Sequence, residues 1–394
     1  MHVKGYYAIR CDKISLTYKT AFRILNPRRS NFLSIIIGDL TGGGIYKMKA
    51  SVIREYGKIS LGEVKKPQLL DSHVLIKVKY ASICGSDQHI FKGEFHPRTK
   101  LPLIPGHEFA GVIEEVGKDV KNLSTGEKVT VDPIIWCGSC EACKVGHYPA
   151  CTSLKLIGID LDGGFAEYVS VPSHMIYKVP DHISDEHAAL VEILAIGFHA
   201  SARAGLGKDD DILIVGSGKV GQSILHAAKT ITSGKIILAD ILDERLSIAS
   251  STFPDIYTIN TKHTDPIVFV KELTDGKGVD IAFESVGHEV PVEGRYNPIR
   301  TCINAIKGGG KVCVLGLSDH PTEILMKELI WKEARIITSR VSHGEFAKAI
   351  EALANGTLSP ESMITGILNL EDAQKGFELL EKEPGKHLKI LLKV

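Results

Sequence analysis

One short stretch, "ILIVGSGKVGQ" from Ile212 to Gln222, restricts the fold of this 394-residue chain more than any other. An apolar run ends in Gly216, Gly218 and Gly221, spaced G-x-G-x-x-G, and helical periodicity follows from about Val220 to Thr230. A second apolar run, "KIILAD" (Lys235 to Asp240), then ends in an acid nineteen residues after Gly221. Glycine at these positions permits a tight turn, close approach of a pyrophosphate to the backbone, and close packing of helix on strand. The N-terminus of the helix favours the phosphate charge. Asp240 can accept hydrogen bonds from both adenosine-ribose hydroxyls and would repel a 2′-phosphate, so NAD is expected over NADP. Val220 belongs to the same expected cofactor site. Arg245 either flanks the adenine ribose or is a solvated helix residue.

Strands and helices continue to alternate around this motif, in "DILIVG" (Asp211 to Gly216), a helix near Glu244 to Ser250, "VDIAFESVG" and "KVCVLGLS". That pattern reads as an α/β, doubly wound parallel sheet with crossover helices. From Ala50 to about Glu192 the chain is instead rich in strands and turns, and Val74, Ile76 and Val78 alternate as a half-buried strand would. The last fifty residues predict two amphipathic helices and a terminal strand folding back onto the first domain. The expected organisation is a mostly β catalytic domain from 48–194 with 339–394, and a Rossmann NAD-binding domain at 195–338.

Residues 1–47 differ from both. "NPRRS", "NFLSIIIG" and "TGGGIYK" show no sustained periodicity, so this extension is expected to be a disordered arm or a mis-started reading. Glycine codons begin with GG, so Gly42 to Gly44 could be a purine-rich ribosome-binding site ahead of a start at Met48.

Charge excludes some partners. Lys+Arg and Asp+Glu both number 47, which leaves no global electrostatic argument for nucleic acid or an anionic membrane. No apolar run is long enough to span a bilayer and no signal peptide is evident, so the expected location is cytoplasmic. Clustered cysteines in that reducing compartment point to metal or redox chemistry before disulfides.

Four of the eight cysteines, Cys137, Cys140, Cys143 and Cys151, follow the spacing C-x2-C-x2-C-x7-C. Such a loop can wrap one tetrahedral zinc with four thiolates and leave no position for substrate, which makes it a structural site. Two disulfides and an iron–sulfur cluster are the competing readings. A second, mixed set suits chemistry better. Cys84 lies in "ICGSDQH", and His107 with Glu108 in "IPGHEFAGVI"; a thiolate, an imidazole and a carboxylate can hold a metal with one position open.

Together these motifs, with "GGFAEYVSVP" and the acid in "ALVEILA", resemble the zinc-dependent medium-chain alcohol and polyol dehydrogenase family, over essentially all of Met48 to Val394. Within it the chain looks most like the branch of sorbitol, threonine and sugar-acid dehydrogenases. The resemblance implies a GroES-like catalytic domain, two Zn²⁺ per chain and NAD. It makes Cys84, His107 and Glu108 ligands of the catalytic zinc, with Glu192 either a ligand or a partner of the metal's water. Asp87 would orient the histidine, and Ser86 and His89 would relay the proton.

The implied reaction interconverts a secondary hydroxyl and a ketone on a small polar substrate, a polyol, sugar acid or relative, with hydride passing to nicotinamide. L-Threonine 3-dehydrogenase and a catalytically silent nucleotide-binding relative are the rival readings. A homodimer or homotetramer is implied. Ile193 and Lys219 stand where the family commonly has proline. Lys219 puts a cation beside the expected pyrophosphate, where it either strengthens nucleotide binding or points to solvent. Arg295, Tyr296 and Arg300 lie in a long segment that reads as a solvated loop, a pocket edge or a subunit contact.

Overall fold

Alternation in "HVLIKVKYAS" produces the strand His73–Ser82, in which Val74, Ile76 and Val78 are all buried. This strand is central to a seven-stranded sheet. Its path runs Ile364–Asn369, Lys389–Lys393, His73–Ser82, Glu108–Val116, Lys128–Val131, Ile176–Lys178, with Tyr168–Pro172 also paired to His73–Ser82. The computed structural model describes residues 46–287 and 292–394. The expected 1–47 extension therefore lies outside the described residues except for Tyr46 and Lys47. Lys47–Glu55 and Lys58–Lys65 form an antiparallel hairpin, and Met48 is buried within it.

The second sheet has six strands in the order Tyr257–Asn260, Ile236–Asp240, Ile212–Val215, Val279–Glu284, Ile306–Val314, Arg335–Thr338, every pair parallel. All four residues of Ile212–Val215 are buried, as a parallel strand covered by helices on both faces requires. Successive connections leave this strand in opposite directions, so a crevice opens at its carboxyl end, where Gly216 begins the glycine turn. The helix that follows spans Lys219–Ile231.

The helix Val191–Ala204 packs against Lys219–Ile231, against Phe346–Ala354 and against the strand Glu108–Val116. The division expected between 194 and 195 falls inside this helix, which thus touches elements of both halves. The two C-terminal helices are Phe346–Ala354 and Ala373–Lys382, and Lys389–Lys393 is the terminal strand. One further strand, Ile364–Asn369, runs parallel to it. Its apolar residues do not alternate, because it is a partly exposed edge held by a pairing about 25 residues away. No helix among the described residues is long and apolar enough to cross a membrane.

The segment holding Arg295, Tyr296 and Arg300 is tied down within the chain. Arg295 pairs with Asp265 at 3.1 Å, and Arg300 pairs with Glu328 at 2.7 Å while lying over the Tyr296 ring.

Candidate active site and metal centres

The strand His73–Ser82 delivers the chain to Cys84, which caps the helix Gly85–Lys92. The Asp87 carboxylate accepts from the Cys84 N–H at 2.8 Å with one oxygen and from the Gly106 N–H at 3.2 Å with the other. One buried acid thereby ties the loop bearing Cys84 to the loop bearing His107. Gly106 has φ +94°, and a Cβ there would lie 2.3 Å from the Phe165 ring, so that loop closes only on glycine. Burial raises the Asp87 pKa, with His107 and the two backbone donors opposing.

The structure brings ligand atoms of Cys84, His107 and Glu108 within 4.8 Å of one another. Strand register achieves this, because Ser82 pairs with Glu108 and Cys84 follows two residues later. His107 is buried, its Nδ1 lies 3.8 Å from Asp87 and has no hydrogen-bond partner, and Ser86 Oγ lies 3.5 Å from its Nε2. Glu192, from the first turn of Val191–Ala204, is 2% exposed and its Oε2 is also unpartnered. Burial drives the Glu192 pKa up to about 7, with His107 opposing and Glu108 adding. For His107, burial opposes the imidazolium, yet Cys84, Asp87 and Glu192 outweigh it and raise the pKa well above the ordinary value. Both shifts describe ionisable groups crowded together out of water. A soft thiolate, an imidazole and carboxylates with orphaned atoms are a donor set that fits zinc with a position left open.

Glu108 has a second partner that sequence reasoning missed. Lys389 Nζ donates to both of its oxygens, and both side chains are fully buried. Burial raises the Glu108 pKa, but Lys389 and His107 more than compensate and hold it below the usual range. A metal would share Glu108 with this lysine. The available signal was a lone charge within the apolar terminal run "LKILL".

The four-cysteine loop also converges. All four sulfurs lie within 4.8 Å of one another, and Cys137 and Cys143 are 4.0 Å apart. Zinc–sulfur bonds of about 2.3 Å in a tetrahedron put sulfurs about 3.8 Å apart, whereas a disulfide needs about 2.05 Å. All four are free thiols here. The Cys137 N–H donates to Cys151, and the Cys140 N–H and Ser139 hydroxyl donate to Cys137. Hydrogen bonds from Ser139 and Cys140 lower the Cys137 pKa to about 6, favouring the thiolate that a metal requires.

At the glycine turn, a Cβ on Gly221 would sit 1.8 Å from the Gly216 carbonyl oxygen. Asp240 ends its strand beside the turn, accepting from the Ser217 N–H at 2.6 Å and the Leu242 N–H at 2.9 Å. Arg245 Nη1 is 3.8 Å from Asp240, and its Nε donates to the Pro384 carbonyl. Arg245 thus lies beside Asp240 at the turn, held by the C-terminal segment. Gly218 is open, with Arg245 as the nearest side chain at 3.6 Å. Val220 lies in the first helical turn. A pyrophosphate fits this cradle of small residues at a helix N-terminus.

His89 lies apart from the buried cluster. Its side chain is half exposed, pairs with Glu94 and stacks on Phe95 with centroids 5.6 Å apart. No hydrogen bond joins it to Ser86 among the described residues.

Residues 71–181 match the alcohol dehydrogenase GroES-like domain, and residues 220–355 match the zinc-binding dehydrogenase domain. The chain belongs to the zinc-binding alcohol dehydrogenases. Relatives within this family include the sorbitol dehydrogenase of Bacillus subtilis (strain 168), 31% identical over 88% of this chain and 97% of that one. An L-threonine 3-dehydrogenase of Bacillus velezensis is 33% identical over 85% of this chain and 96% of its own. Among solved structures, the alcohol dehydrogenase rspB of E. coli CFT073, complexed with NADH, superposes with a TM-score of 0.80 at 29% identity, covering 88% of this chain and 99% of that one. As a zinc-binding alcohol dehydrogenase, the chain is an NAD(P)-dependent oxidoreductase acting on CH–OH groups, built from a GroES-like and a Rossmann domain.

Proposed function

We propose that this dehydrogenase interconverts a secondary hydroxyl and a ketone on a polyol or sugar acid, with NAD preferred over NADP, in the cytoplasm. The observation that carries the reading is the convergence of Cys84, His107 and Glu108 ligand atoms within 4.8 Å of one another, with orphaned buried polar atoms on His107 and Glu192. Zinc bound there supplies Lewis acidity toward a substrate hydroxyl, and the nicotinamide supplies the hydride acceptor.

The chain's own residues would do the rest. Asp87 holds the Cys84 loop and the loop before His107 together through the Cys84 and Gly106 N–H groups. Glu192 would ligate the metal or hydrogen-bond its water. Ser86 Oγ, beside His107, is placed to accept the hydroxyl proton, and His89 on the same helix offers a solvent-side group to pass it on. Asp240, a carboxylate at the turn, supports NAD because a 2′-phosphate would meet like charge. Cys137, Cys140, Cys143 and Cys151 would hold the second zinc as a structural staple.

A homodimer is part of the proposal. Arg335–Thr338 is an edge strand that carries exposed Ile336 and follows exposed Ile330 and Trp331, which supports pairing with a second copy.

The test is a panel of sorbitol, arabinitol, galactonate, threonine and 2,3-butanediol, assayed by reduced-nucleotide absorbance with NAD and with NADP. Turnover of a polyol or sugar acid with NAD is expected. Threonine as the preferred substrate would select the L-threonine 3-dehydrogenase reading, and zinc-replete protein inactive on the whole panel would support a silent relative.

A further inference from the structure

Lys219 occupies the first position of the helix Lys219–Ile231, directly after Gly218 in the glycine turn. Its side chain is partly buried, yet it makes no hydrogen bond or ion pair among the described residues. Three other lysines drawn out of water find partners. Lys389 is bound to Glu108, Lys128 lies 3.1 Å from Asp185, and Lys332 donates to the carbonyls of Ile303, Asn304 and Ile306.

The charges that act on Lys219 are those of Lys389, Cys84, Glu108 and Asp87, all of the metal-side cluster. Whereas Arg245 sits 3.8 Å from Asp240, Lys219 therefore lies within electrostatic reach of that cluster. Burial, reinforced by the charge of Lys389, lowers its pKa to about 8, so at neutral pH it remains mostly an ammonium that has lost water without gaining a counterion. Glu108 does not pair with it, and its charge is already balanced by Lys389, which donates to both oxygens.

We infer that Lys219 is a positioning residue for the cofactor, its ammonium binding a pyrophosphate oxygen on the nicotinamide side of the glycine turn. A dinucleotide pyrophosphate lies at the first turn of such a helix, the same place from which the Lys219 stem departs. Backbone N–H groups hold the phosphates there by dipoles alone; Lys219 adds a full charge and a charge-assisted hydrogen bond. Lys219 would thus serve the nicotinamide side of the turn, while Arg245 lies beside Asp240. The inference rests on the NAD(P)-dependent reading, and the test separates the two.

Zinc-replete wild type, Lys219→Met and Lys219→Arg are titrated with NADH, ADP-ribose and AMP, by nucleotide fluorescence or calorimetry. Loss of one charge-assisted bond should weaken NADH and ADP-ribose about ten- to a hundredfold in Lys219→Met. AMP, which lacks the pyrophosphate, should bind as in wild type, Lys219→Arg should stay within a few fold, and zinc content should not change. Unchanged NADH affinity in Lys219→Met overturns the inference, including when the KM for an anionic substrate rises, because Lys219 would then serve the substrate. Equal weakening of AMP also overturns it, as the turn itself would be damaged. Wild type that binds none of the three would instead refute the dinucleotide reading.

Discussion

Replacing Lys389 by Met tests the least expected feature of the site. Both partners of the Lys389–Glu108 pair are fully buried, so in zinc-free protein the substitution leaves a carboxylate without water and with only His107 to oppose its charge. Breaking a buried pair in this way costs about 3–5 kcal/mol. For 394 residues at about 2.1 cal/mol/K each, the unfolding entropy is near 0.8 kcal/mol/K, which converts that cost to a Tm drop of about 4–6 °C. The pH dependence has a definite sign. In the wild type the Glu108 pKa is depressed, so its stabilisation is complete above the unfolded value and is lost only as pH falls through the lower folded one. In Lys389→Met, burial without Lys389 raises the Glu108 pKa above its unfolded value, so protonation relieves the penalty as pH falls. The difference in Tm between the two proteins should therefore shrink from pH 7 toward pH 5. Removing both charges, as Lys389→Met with Glu108→Gln, should recover most of the loss, since neutral replacements of a buried pair are often tolerated. The assay is thermal melting across pH of both proteins stripped of zinc by chelator, with removal checked by metal analysis. A Tm change under about 1 °C at pH 7, or a difference that does not vary with pH, would show that the pair is not a buried ion pair.

Two other expectations concern the separate sites. Cys140→Ser should remove one of two zinc equivalents and lower Tm or assembly, while the folded fraction keeps its specific activity; lost activity with an unchanged melt would reverse the assignment of the two metals. Asp240→Asn should lower the preference for NAD over NADP about tenfold, the order of one charge-assisted hydrogen bond, read from the ratio of kcat/KM values. An equal loss with both cofactors would separate Asp240 from the ribose.

Much of the dinucleotide half was legible because its determinants are local. Strand, three glycines, helix, strand and acid follow one another within about 30 residues, and each spacing has a steric reason such as the 1.8 Å clash that a Cβ on Gly221 would make. The four-cysteine loop is equally local, and its spacing alone could draw the sulfurs together. Cys84, His107, Glu108 and Glu192 were a different matter. Individually they are unremarkable residues, and only the resemblance to a family grouped them before the fold did.

The fold groups them by strand register. Ser82 pairs with Glu108 on one side and with Leu391 on the other, and two residues along, the terminal strand sets Lys389 beside Cys84. No window of sequence contains that arrangement, because the partners are separated by 281 residues and meet only when the last strand joins the sheet. The same reason explains Lys219. Its identity and place in the turn were plain from the chain, but its partial burial without a partner came only from the fold. Sequence by itself determined the elements, the glycine turn and the sulfur loop, where short-range sterics and period decide. Tertiary structure alone decided which buried charges meet, because burial and pairing are properties of surfaces brought together from distant parts of the chain.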